Sequence, residues 1–320
     1  MGLKISELHL ENFRNLEERD IGFSPAITIL SGENASGKTN TIEALQLLTS
    51  GYSFRHPSPS QLIREGEEKA LLHARLRGGG RVVDAACEIH ETRKTFYKNM
   101  KKCGAKDMPG TLFSVLFNPD DLFLIKRGAV YRRDEIDTFA RQAHPNYDKV
   151  LSAYVRTVEQ RNRLLKEEHI DPALLDAWDE SLALGGATLL LARHRLFDRL
   201  QAILIDTYTQ IAPHEILSAQ YRSTIGDGIR HLSRDEVRDR YREMLLENRA
   251  DDIRRQQTLI GPHRDDIVFS IGGREARAFA SQGQQRSIVL ALKLAEVVLA
   301  KELVDDQPLL LLDDVMSELD

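Results

Sequence analysis

The sequence has few of the residues that mark secreted, metal-binding or membrane proteins. It contains only two cysteines, Cys87 and Cys103, which lie far apart and outside any Cys-x-x-Cys pattern. Neither a disulfide framework nor a cysteine-rich zinc site is therefore indicated, and a reduced, cytoplasmic setting is favoured. The first residues lack the apolar stretch of a secretory signal, and no run approaches 18 apolar residues. We therefore expect neither export nor a membrane span.

The sequence also lacks an excess of positive charge. Its 44 Lys and Arg residues against 49 Asp and Glu residues give a formal net charge of −5. No overall basic field indicates nucleic acid, although a local basic face is compatible with this balance. The composition is otherwise that of an ordinary soluble protein, and 320 residues suffice for one large domain or two lobes.

Strand-like and helix-like patterns divide the chain into three parts. The apolar run AITILS (26–31) predicts a buried central strand, and Ile42, Leu45 and Leu48 then share one face of a helix that should stop at Gly51. Residues 69–117 predict strands and hairpins, and residues 119–260 predict helices, with a helix pair turning at Asp171-Pro172. A strand, a helix and an apolar strand follow. This order predicts an α/β head that is interrupted by a helical insertion.

The stretch GENASGKT (32–39), called the P-loop below, matches the phosphate-binding pattern G-x-x-x-x-G-K-[ST]. It lies between a predicted strand and a predicted helix, so backbone N–H groups and the helix N-terminus would surround a phosphate. We expect Lys38 to contact the β- and γ-phosphates of a nucleotide and the Thr39 hydroxyl to bind Mg²⁺. The alternative is a glycine-rich turn that carries Lys and Thr by coincidence.

The stretch PLLLLDDVMSELD (308–320) begins with four leucines, which predict a strand buried on both faces. Ligands of α/β sheets bind at the C-terminal ends of such strands. Asp313 is therefore placed to bind Mg²⁺, and Asp314 is placed to orient or deprotonate an attacking water. The alternative is that one of the two aspartates caps a following helix.

The stretch SQGQQR (281–286) precedes an amphipathic helix, and Ser281 with Gln284 forms the pattern of a capping box. One interpretation is a well-capped helix and nothing more. The other is a second phosphate-binding helix start, in which Ser281 and the Gly283 amide face the γ-phosphate of a nucleotide held by a partner chain. Two chains would then enclose two ATP molecules at a two-fold interface.

In this order, the three motifs resemble those of the ABC-type ATPases of chromosome and repair biology, and within that class the chain is similar to the RecF family. Further segments across the chain carry the resemblance: LENFRNL (10–16), GYSFR (51–55), FNPDDLFLIKRG (117–128), YVRTVEQRNRLLK (154–166), GPHRDD (261–266) and LALKLAE (290–296).

The resemblance implies an ABC-type P-loop ATPase head with a mixed sheet and an inserted helical lobe. Residues 1–118 and 252–320 would form two halves of one site, and residues 119–251 the helical arm lobe. ATP would be bound by Gly32, Glu33, Asn34, Ala35, Ser36, Gly37, Lys38, Thr39 and Asn40. The implied catalytic residues are Lys38 and Asp314, the metal ligands Thr39 and Asp313, the signature residues Ser281, Gln282, Gly283, Gln284 and Gln285, and the D-loop residues Ser317 and Asp320.

Two arginines extend this assignment, and the sequence departs from the family pattern at two places. Arg14 and Arg55 lie in short motifs near the P-loop and are expected at the nucleotide, the alternative being surface ion pairs. Ala35 stands where the family usually has glycine, which costs about 1 kcal/mol if the position needs a positive φ. In the family a further strand and a switch histidine follow the D-loop, whereas this sequence stops at Asp320. The hydrolytic site is therefore implied only in part, and we assign no role to His263 and Arg264.

Basic residues provide candidates for DNA contact through the phosphate backbone. One set lies on a predicted hairpin that also carries Phe96 and Tyr97, and the other on the first predicted arm helix. The alternative for both is a solvated charged surface. The candidates are Lys98, Lys101 and Lys102 on the hairpin and Arg156 and Arg161 on the helix.

The resemblance implies a slow ATPase that dimerises on ATP with Mg²⁺ and binds gapped or double-stranded DNA. It would assist RecA loading with RecR and RecO as partners, in recombinational repair and the SOS response. The alternatives are a small-molecule P-loop kinase or another SMC-like ATPase without a DNA role, a subunit of a membrane transporter, and a nucleotide-gated scaffold without useful turnover.

Overall fold

The computed structural model describes residues 2–314, and alternation of apolar and polar side chains forms most strands in the first part of this range. The strands are β1 (Lys4–Phe13), β2 (Leu16–Gly22), β3 (Lys69–Gly78), β4 (Arg81–His90), β5 (Arg93–Lys98), β6 (Lys101–Cys103), β7 (Ser114–Phe117), β8 (Leu217–Arg222), β9 (Asp266–Ile271), β10 (Arg274–Glu275) and β11 (Leu309–Leu312).

Helices occupy most of residues 123–304, and one further helix follows the hairpin of β1 and β2. They are α1 (Lys38–Ser50), α2 (Phe123–Lys126), α3 (Ala129–Ala143), α4 (Tyr147–Leu164), α5 (Pro172–Ile211), α6 (Arg234–Arg255), α7 (Ala276–Phe279) and α8 (Gln282–Val304). Asp171 accepts a hydrogen bond from Ala173 N at the start of α5, where Pro172 takes the first helical position. None of the described helices has the length and apolar character that crossing a membrane requires.

The chain folds as two compact units. Unit 1 contains Met1–Asp120, Arg141–Pro145 and Glu296–Asp320, and unit 2 contains Asp121–Ala140 and Asn146–Ala295. Residues 252–295, which we assign to the head from the sequence, thus fold with unit 2. The predicted limits concern the segments that build one nucleotide site rather than compactness, and they stay a prediction.

Unit 1 contains a six-stranded antiparallel sheet and a parallel strand pair. The sheet has the order β2-β1-β3-β4-β5-β6, and β11 pairs in parallel with β7. Helix α1 is buried from Thr41 to Ser50 and contributes Leu45, Leu47 and Leu48 to a core shared with the sheet. It ends at Gly51, which has a φ of 80° as a left-handed C-cap. This confirms the predicted helix and its stop, and it holds the P-loop at the start of α1.

Two apolar segments differ from their predictions. Residues 26–31 pair with no other described strand, and Ile27 and Ile29 are 77% and 83% exposed. In β11 only Leu311 is buried, whereas Leu310 and Leu312 are exposed. An apolar run specifies a side-chain pattern, but a strand forms only where a neighbour satisfies its N–H and C=O groups. The predicted central strand and the predicted two-sided burial of β11 are therefore wrong for the described residues.

Unit 2 is organised by long helices and a small sheet. Helix α5 packs against both α4 and α6, and the antiparallel sheet has the order β10-β9-β8. Arg161 of α4 is fully buried among these helices. It donates to Asp179 Oδ1 of α5 over 2.6 Å, to Asp252 Oδ2 of α6 over 2.7 Å and to the Thr258 hydroxyl over 2.9 Å. One guanidinium thereby links three helices.

The GPHRDD segment (261–266) forms a second buried hub in unit 2. Gly261 has a φ of 121°, and a Cβ there would lie 1.9 Å from the Tyr241 hydroxyl, so only glycine fits. Asp265 is buried and accepts from the Tyr221 hydroxyl and from Thr224 N. Burial raises the pKa of Asp265, and these donors oppose that shift. The segment therefore connects helix α6, through Tyr241, with strand β8, through Tyr221.

His263 has a structural role in this hub. Its Nε2 lies 3.1 Å from the Thr258 carbonyl oxygen and must donate to it, so Nδ1 accepts from the Tyr154 hydroxyl at 2.8 Å. Both ring nitrogens are thus occupied in the neutral form. Burial lowers the pKa of His263 to about 4.

We predict that this histidine makes the protein less stable in mild acid. Between pH 6.5 and pH 4 the unfolded chain binds a proton at His263 that the folded chain excludes, so the free energy of unfolding falls as the pH falls. The loss should reach about 3 kcal/mol at pH 4 and should be absent above pH 6.5. Urea unfolding at several pH values measures it. His263→Gln should flatten the curve over this window, and parallel curves for the two proteins would contradict the assignment.

Candidate nucleotide site

The P-loop turns between the end of residues 26–31 and the first turn of α1. Gly37 is the N-cap residue, with a φ of 90°. A Cβ at this position would lie 2.5 Å from Leu16 Cδ2, so both the backbone conformation and the packing require glycine. Residues 32–36 are exposed. The loop therefore presents its backbone to a ligand beside a helix N-terminus, as phosphate binding needs.

Ala35 adopts the left-handed conformation, with a φ of 63°. A glycine at this position would avoid a cost of about 1 kcal/mol, which alanine pays here. Asn15, in the turn between β1 and β2, compensates by donating to the Ala35 carbonyl over 2.6 Å. Asn40 in turn donates to the Asn15 side-chain oxygen over 2.7 Å. The hairpin turn thus fixes the middle of the P-loop to α1.

Lys38 folds back over the loop. Its ammonium donates to the carbonyl oxygens of Gly32 and Glu33, each over 2.8 Å. The side chain is only half-buried, and these carbonyls hold it above the loop. The charge is therefore positioned where the phosphates of a nucleotide in the loop would lie.

Thr39 and Asp313 meet although 274 residues separate them. The Thr39 hydroxyl donates to Asp313 Oδ1 over 2.8 Å. Asp313 follows the end of β11, is buried, and is fixed by its backbone N–H, which donates to the Phe117 carbonyl over 2.9 Å. A hydroxyl and a carboxylate at this spacing are the oxygen ligands that Mg²⁺ takes beside phosphates, so the donor set fits that ion. The structure thus brings together the two residues expected to bind metal.

Asp314 is exposed at the strand tip and has a φ of 53°. It is the candidate base of the sequence analysis. The D-loop residues Ser317 and Asp320 lie outside the described residues, so their assignment stays a prediction.

Arg14 and Arg55 converge on Glu43, whose side chain is fully buried in α1. Arg14 makes a bidentate pair with this carboxylate, with N···O distances of 2.7 and 3.0 Å. Arg55 lies 3.3 Å from the same carboxylate and 2.9 Å from Asn40 Oδ1. Ser53 adds a further hydrogen bond of 2.5 Å. The expected nucleotide contacts are thus ion-paired in this conformation, and Glu43 is a residue that the sequence analysis missed.

The signature segment begins α8 in unit 2. Ser281 N donates to Gln284 Oε1 over 2.9 Å and Gln284 N donates to the Ser281 hydroxyl over 3.2 Å, which confirms the predicted capping box. Ser281, Gln282 and Gly283 are exposed, and a Cβ at Gly283 would meet nothing closer than 3.9 Å. Gln285 is buried and donates to the Ala280 carbonyl. The exposed half of the segment is free to approach a ligand.

Glu215 anchors this helix start and was not predicted. Its carboxylate accepts from Gln284 Nε2 over 2.9 Å and from the buried Tyr208 hydroxyl. These hydrogen bonds, that from Tyr208 first, lower the pKa of Glu215. The only sequence signal was an acidic residue after Pro213, which is too common to indicate a contact. Glu215 ties the signature segment to the end of α5.

The DNA candidates fall into two groups. Lys101, Lys102 and Arg156 are exposed and Lys98 is half-buried, so all four stay candidates. Arg161 is fully buried and paired with two aspartates. A buried guanidinium with such partners cannot reach a phosphate, which corrects the expectation for this residue. Helical spacing alone did not reveal which side of α4 faces the other helices.

Comparison with known proteins places this geometry in a family. The family model for the RecF/RecN/SMC N terminal domain matches residues 4–320. The chain is 40% identical to the DNA replication and repair protein RecF of Symbiobacterium thermophilum, over 99% of this chain and 85% of that protein. It is 37% identical to the protein of the same name from Thermosynechococcus vestitus, over 99% and 84% of the two chains.

Solved structures agree. A structure of the recombination mediator RecF with ATP superposes with a TM-score of 0.94 at 31% identity and covers 100% of this chain and 87% of that one. The Smc head domain of Pyrococcus furiosus gives a TM-score of 0.51 at 17% identity, over 99% and 92% of the two chains, and shares the fold alone. The resemblance that the sequence predicts is thereby confirmed. The chain belongs to the RecF family and is an ABC-type ATPase.

Proposed function

We propose that the chain is an ATP-dependent DNA-binding protein of replication and recombinational repair. It binds ATP with Mg²⁺, dimerises, holds gapped or double-stranded DNA, and releases it after slow hydrolysis. Its relatives carry the name DNA replication and repair protein, and the superposed RecF with ATP is described as belonging to the RecFOR pathway. By that relationship its partners are RecR, RecO and RecA, and its site of action is the bacterial cytoplasm. It would assist the loading of RecA in recombinational repair and in SOS induction.

The hydrogen bond between Thr39 and Asp313 carries the proposal. It joins the end of the P-loop to the residue that follows β11, so a hydroxyl and a carboxylate lie together beside the phosphate-binding loop. A simple glycine-rich turn would not need a buried aspartate from a segment 274 residues away. This arrangement favours a loop that binds a nucleoside triphosphate with a metal ion over a loop that is only a structural turn.

The residues of the P-loop and those that follow β11 have different roles in this function. Backbone N–H groups of residues 32–37 and the start of α1 would donate to the phosphates, and Lys38 would exchange its two carbonyl partners for phosphate oxygens. Thr39 and Asp313 would hold Mg²⁺, which neutralises charge on the phosphates when it is bound. Asp314 would accept the proton of the attacking water.

The signature segment would complete the nucleotide site of a second copy. The first N–H groups of α8 have no intrahelical partners, and only Gln284 N and Ser281 N are occupied by the capping box. The exposed Ser281 hydroxyl and Gly283 amide would donate to the γ-phosphate that the partner holds. ATP would therefore be part of the dimer interface, and hydrolysis would shift the population back to monomers.

Sedimentation of the protein with ATP, with ADP and without nucleotide tests this proposal, each with and without gapped DNA. ATP should produce dimers, and gapped DNA should move with them. The clamp mechanism is wrong if ATP gives no dimer under any of these conditions.

Ser281→Arg should leave ATP affinity unchanged but prevent the ATP-dependent dimer, because its side chain would occupy the place of the partner's γ-phosphate. The matched control is Ser233→Arg, since Ser233 is likewise exposed and forms a capping box with Glu236 at the start of α6. Both variants lose a cap worth about 1 kcal/mol. Ser233→Arg should still dimerise, and equal loss of dimerisation in both would contradict the assignment.

A further inference from the structure

The hairpin of β5 and β6 has an unusual tip. Its two-residue turn consists of Asn99 and Met100, with φ values of 47° and 66°. Two consecutive left-handed residues define the type I′ turn, whose second position normally holds glycine. Asn tolerates this conformation, but Met is disfavoured in it. Met100 therefore occupies a position where glycine would be more stable.

The turn is fixed by its neighbour strand. Asn99 N donates to the Asp84 carbonyl over 2.8 Å, and Asp84 N donates to the Asn99 side-chain oxygen over 2.9 Å. The Asp84 carboxylate is itself held by Arg75. The strained conformation is thus maintained by two hydrogen bonds to β4 rather than by burial of Met100, whose side chain is 92% exposed.

Lysines flank this apolar tip on both strands of the hairpin, and Asp84 of the neighbouring strand is paired with Arg75. Lys98 and Lys101 lie directly opposite each other across the turn, and Tyr97 pairs with Lys102. Like charges in opposite positions destabilise a hairpin. The nearest acid along the chain, Asp107, is held by Gly104 N. The strained turn, the exposed methionine and the facing lysines all lower the stability of the hairpin. The tip is therefore better suited to contact a ligand than to stabilise the fold.

The chemistry of the tip matches one ligand class. Phosphates on both sides would neutralise the facing lysines, and an apolar side chain between them would need an apolar surface between phosphates. The faces of nucleic-acid bases provide this, and proteins insert methionine among other apolar wedges at base steps. A terminal base pair beside a gap exposes such a face without unstacking. A lipid surface is the weaker fit, because one methionine gives little apolar area for insertion.

On the basis of the proposed function, we propose that Met100 packs on the exposed base pair at the edge of a single-stranded gap, while Lys98, Lys101 and Lys102 contact the flanking phosphates. The hairpin then distinguishes a gap edge from continuous duplex. The lysines supply affinity for any DNA, and Met100 supplies the preference for the gap.

The test compares the affinity of the whole chain, with ATP and Mg²⁺, for a gapped and a continuous duplex by fluorescence anisotropy. Met100→Gly suits the turn, so folding is not at risk. It should reduce the preference for gapped DNA about tenfold, the effect of burying one methionine, and leave continuous-duplex affinity unchanged. Met100→Leu should retain the preference, which separates the apolar contact from the shape of the turn.

The double variant Lys101→Gln and Lys102→Gln is the matched comparison. It should lower the affinity for both DNA substrates by the same factor and reduce the slope of log affinity against log salt concentration by about 2. A 2-aminopurine at the gap edge should change fluorescence with the native chain and with Met100→Leu but not with Met100→Gly.

The outcomes separate this inference from the proposed function. If the native chain binds gapped DNA and Met100→Gly keeps the full preference, the wedge is wrong and the proposed function stands. If the native chain binds neither DNA, both are wrong. If Met100→Gly instead loses binding to vesicles of anionic phospholipid while DNA binding is unchanged, the tip is a lipid contact and the inference is overturned.

Discussion

Arg161→Met should lower the free energy of unfolding by about 3–5 kcal/mol at neutral pH. The substitution preserves much of the side-chain volume but leaves the buried carboxylate of Asp252 without Arg161 and that of Asp179 with Arg249 alone. Removing one partner of a buried ion network is costly because the remaining charges stay out of water. Urea unfolding followed by circular dichroism measures the loss.

Acid should partly rescue this variant. Burial raises the pKa of Asp252 even when Arg161 is present, and loss of the guanidinium removes the main influence that lowers it. In the variant this carboxyl therefore becomes easier to protonate in the folded state, and the protonated form carries no buried charge. The difference from the native protein should be smaller at pH 4 than at pH 7.

Arg156→Met is the matched control on the same helix. Arg156 is exposed, so its substitution should change stability by no more than about 0.5 kcal/mol. It should weaken DNA binding if the proposed arm contact exists. Equal stability of the two variants would contradict the structural role of Arg161.

Lys38→Ala should reduce the affinity for ATP by about 100-fold or more. The ammonium is a flexible charge held over the P-loop, and each hydrogen bond from it to a phosphate is worth about 1.5–3 kcal/mol. Calorimetric titration with ATP and Mg²⁺ measures the change. Without nucleotide the variant should unfold close to the native temperature, because the side chain is only half-buried.

Lys69→Ala serves as the control for Lys38, since Lys69 is an exposed lysine of unit 1 at the start of β3. It should bind ATP with native affinity. If Lys38→Ala also keeps native affinity, the P-loop is not the nucleotide site, and the proposed function loses its foundation.

Features set by local sequence were predictable. Gly51 ends α1 because glycine adopts the left-handed C-cap, and Ser281 with Gln284 caps α8 because their spacing matches one helical turn. The pairing of Thr39 with Asp313 was also accessible, since each residue lies at the end of a recognisable element. The causes of both caps lie within a few residues of the motif, whereas the Thr39–Asp313 pair was accessible because two recognisable motifs of one site must meet.

Features set by tertiary neighbours were not predictable. Residues 26–31 have the pattern of a buried strand, but pairing depends on a neighbour that the run does not specify. Glu43 belongs to a helix buried on every side, where the apolar stripe does not show that two arginines approach a carboxylate. Arg161 belongs to a polar pattern that suits a DNA contact equally well. Its burial follows from how α5 and α6 cover α4.

The separation of Thr39 from Asp313 has a consequence for biosynthesis. A ribosome adds about 5–20 residues per second, so roughly 14–55 s pass between translation of these two residues. Throughout that interval the nascent chain carries the glycine-rich turn without its carboxylate partner. Under the proposed function, capture of a nucleotide together with its metal ion therefore waits until Asp313 has been synthesised and β11 has paired with β7.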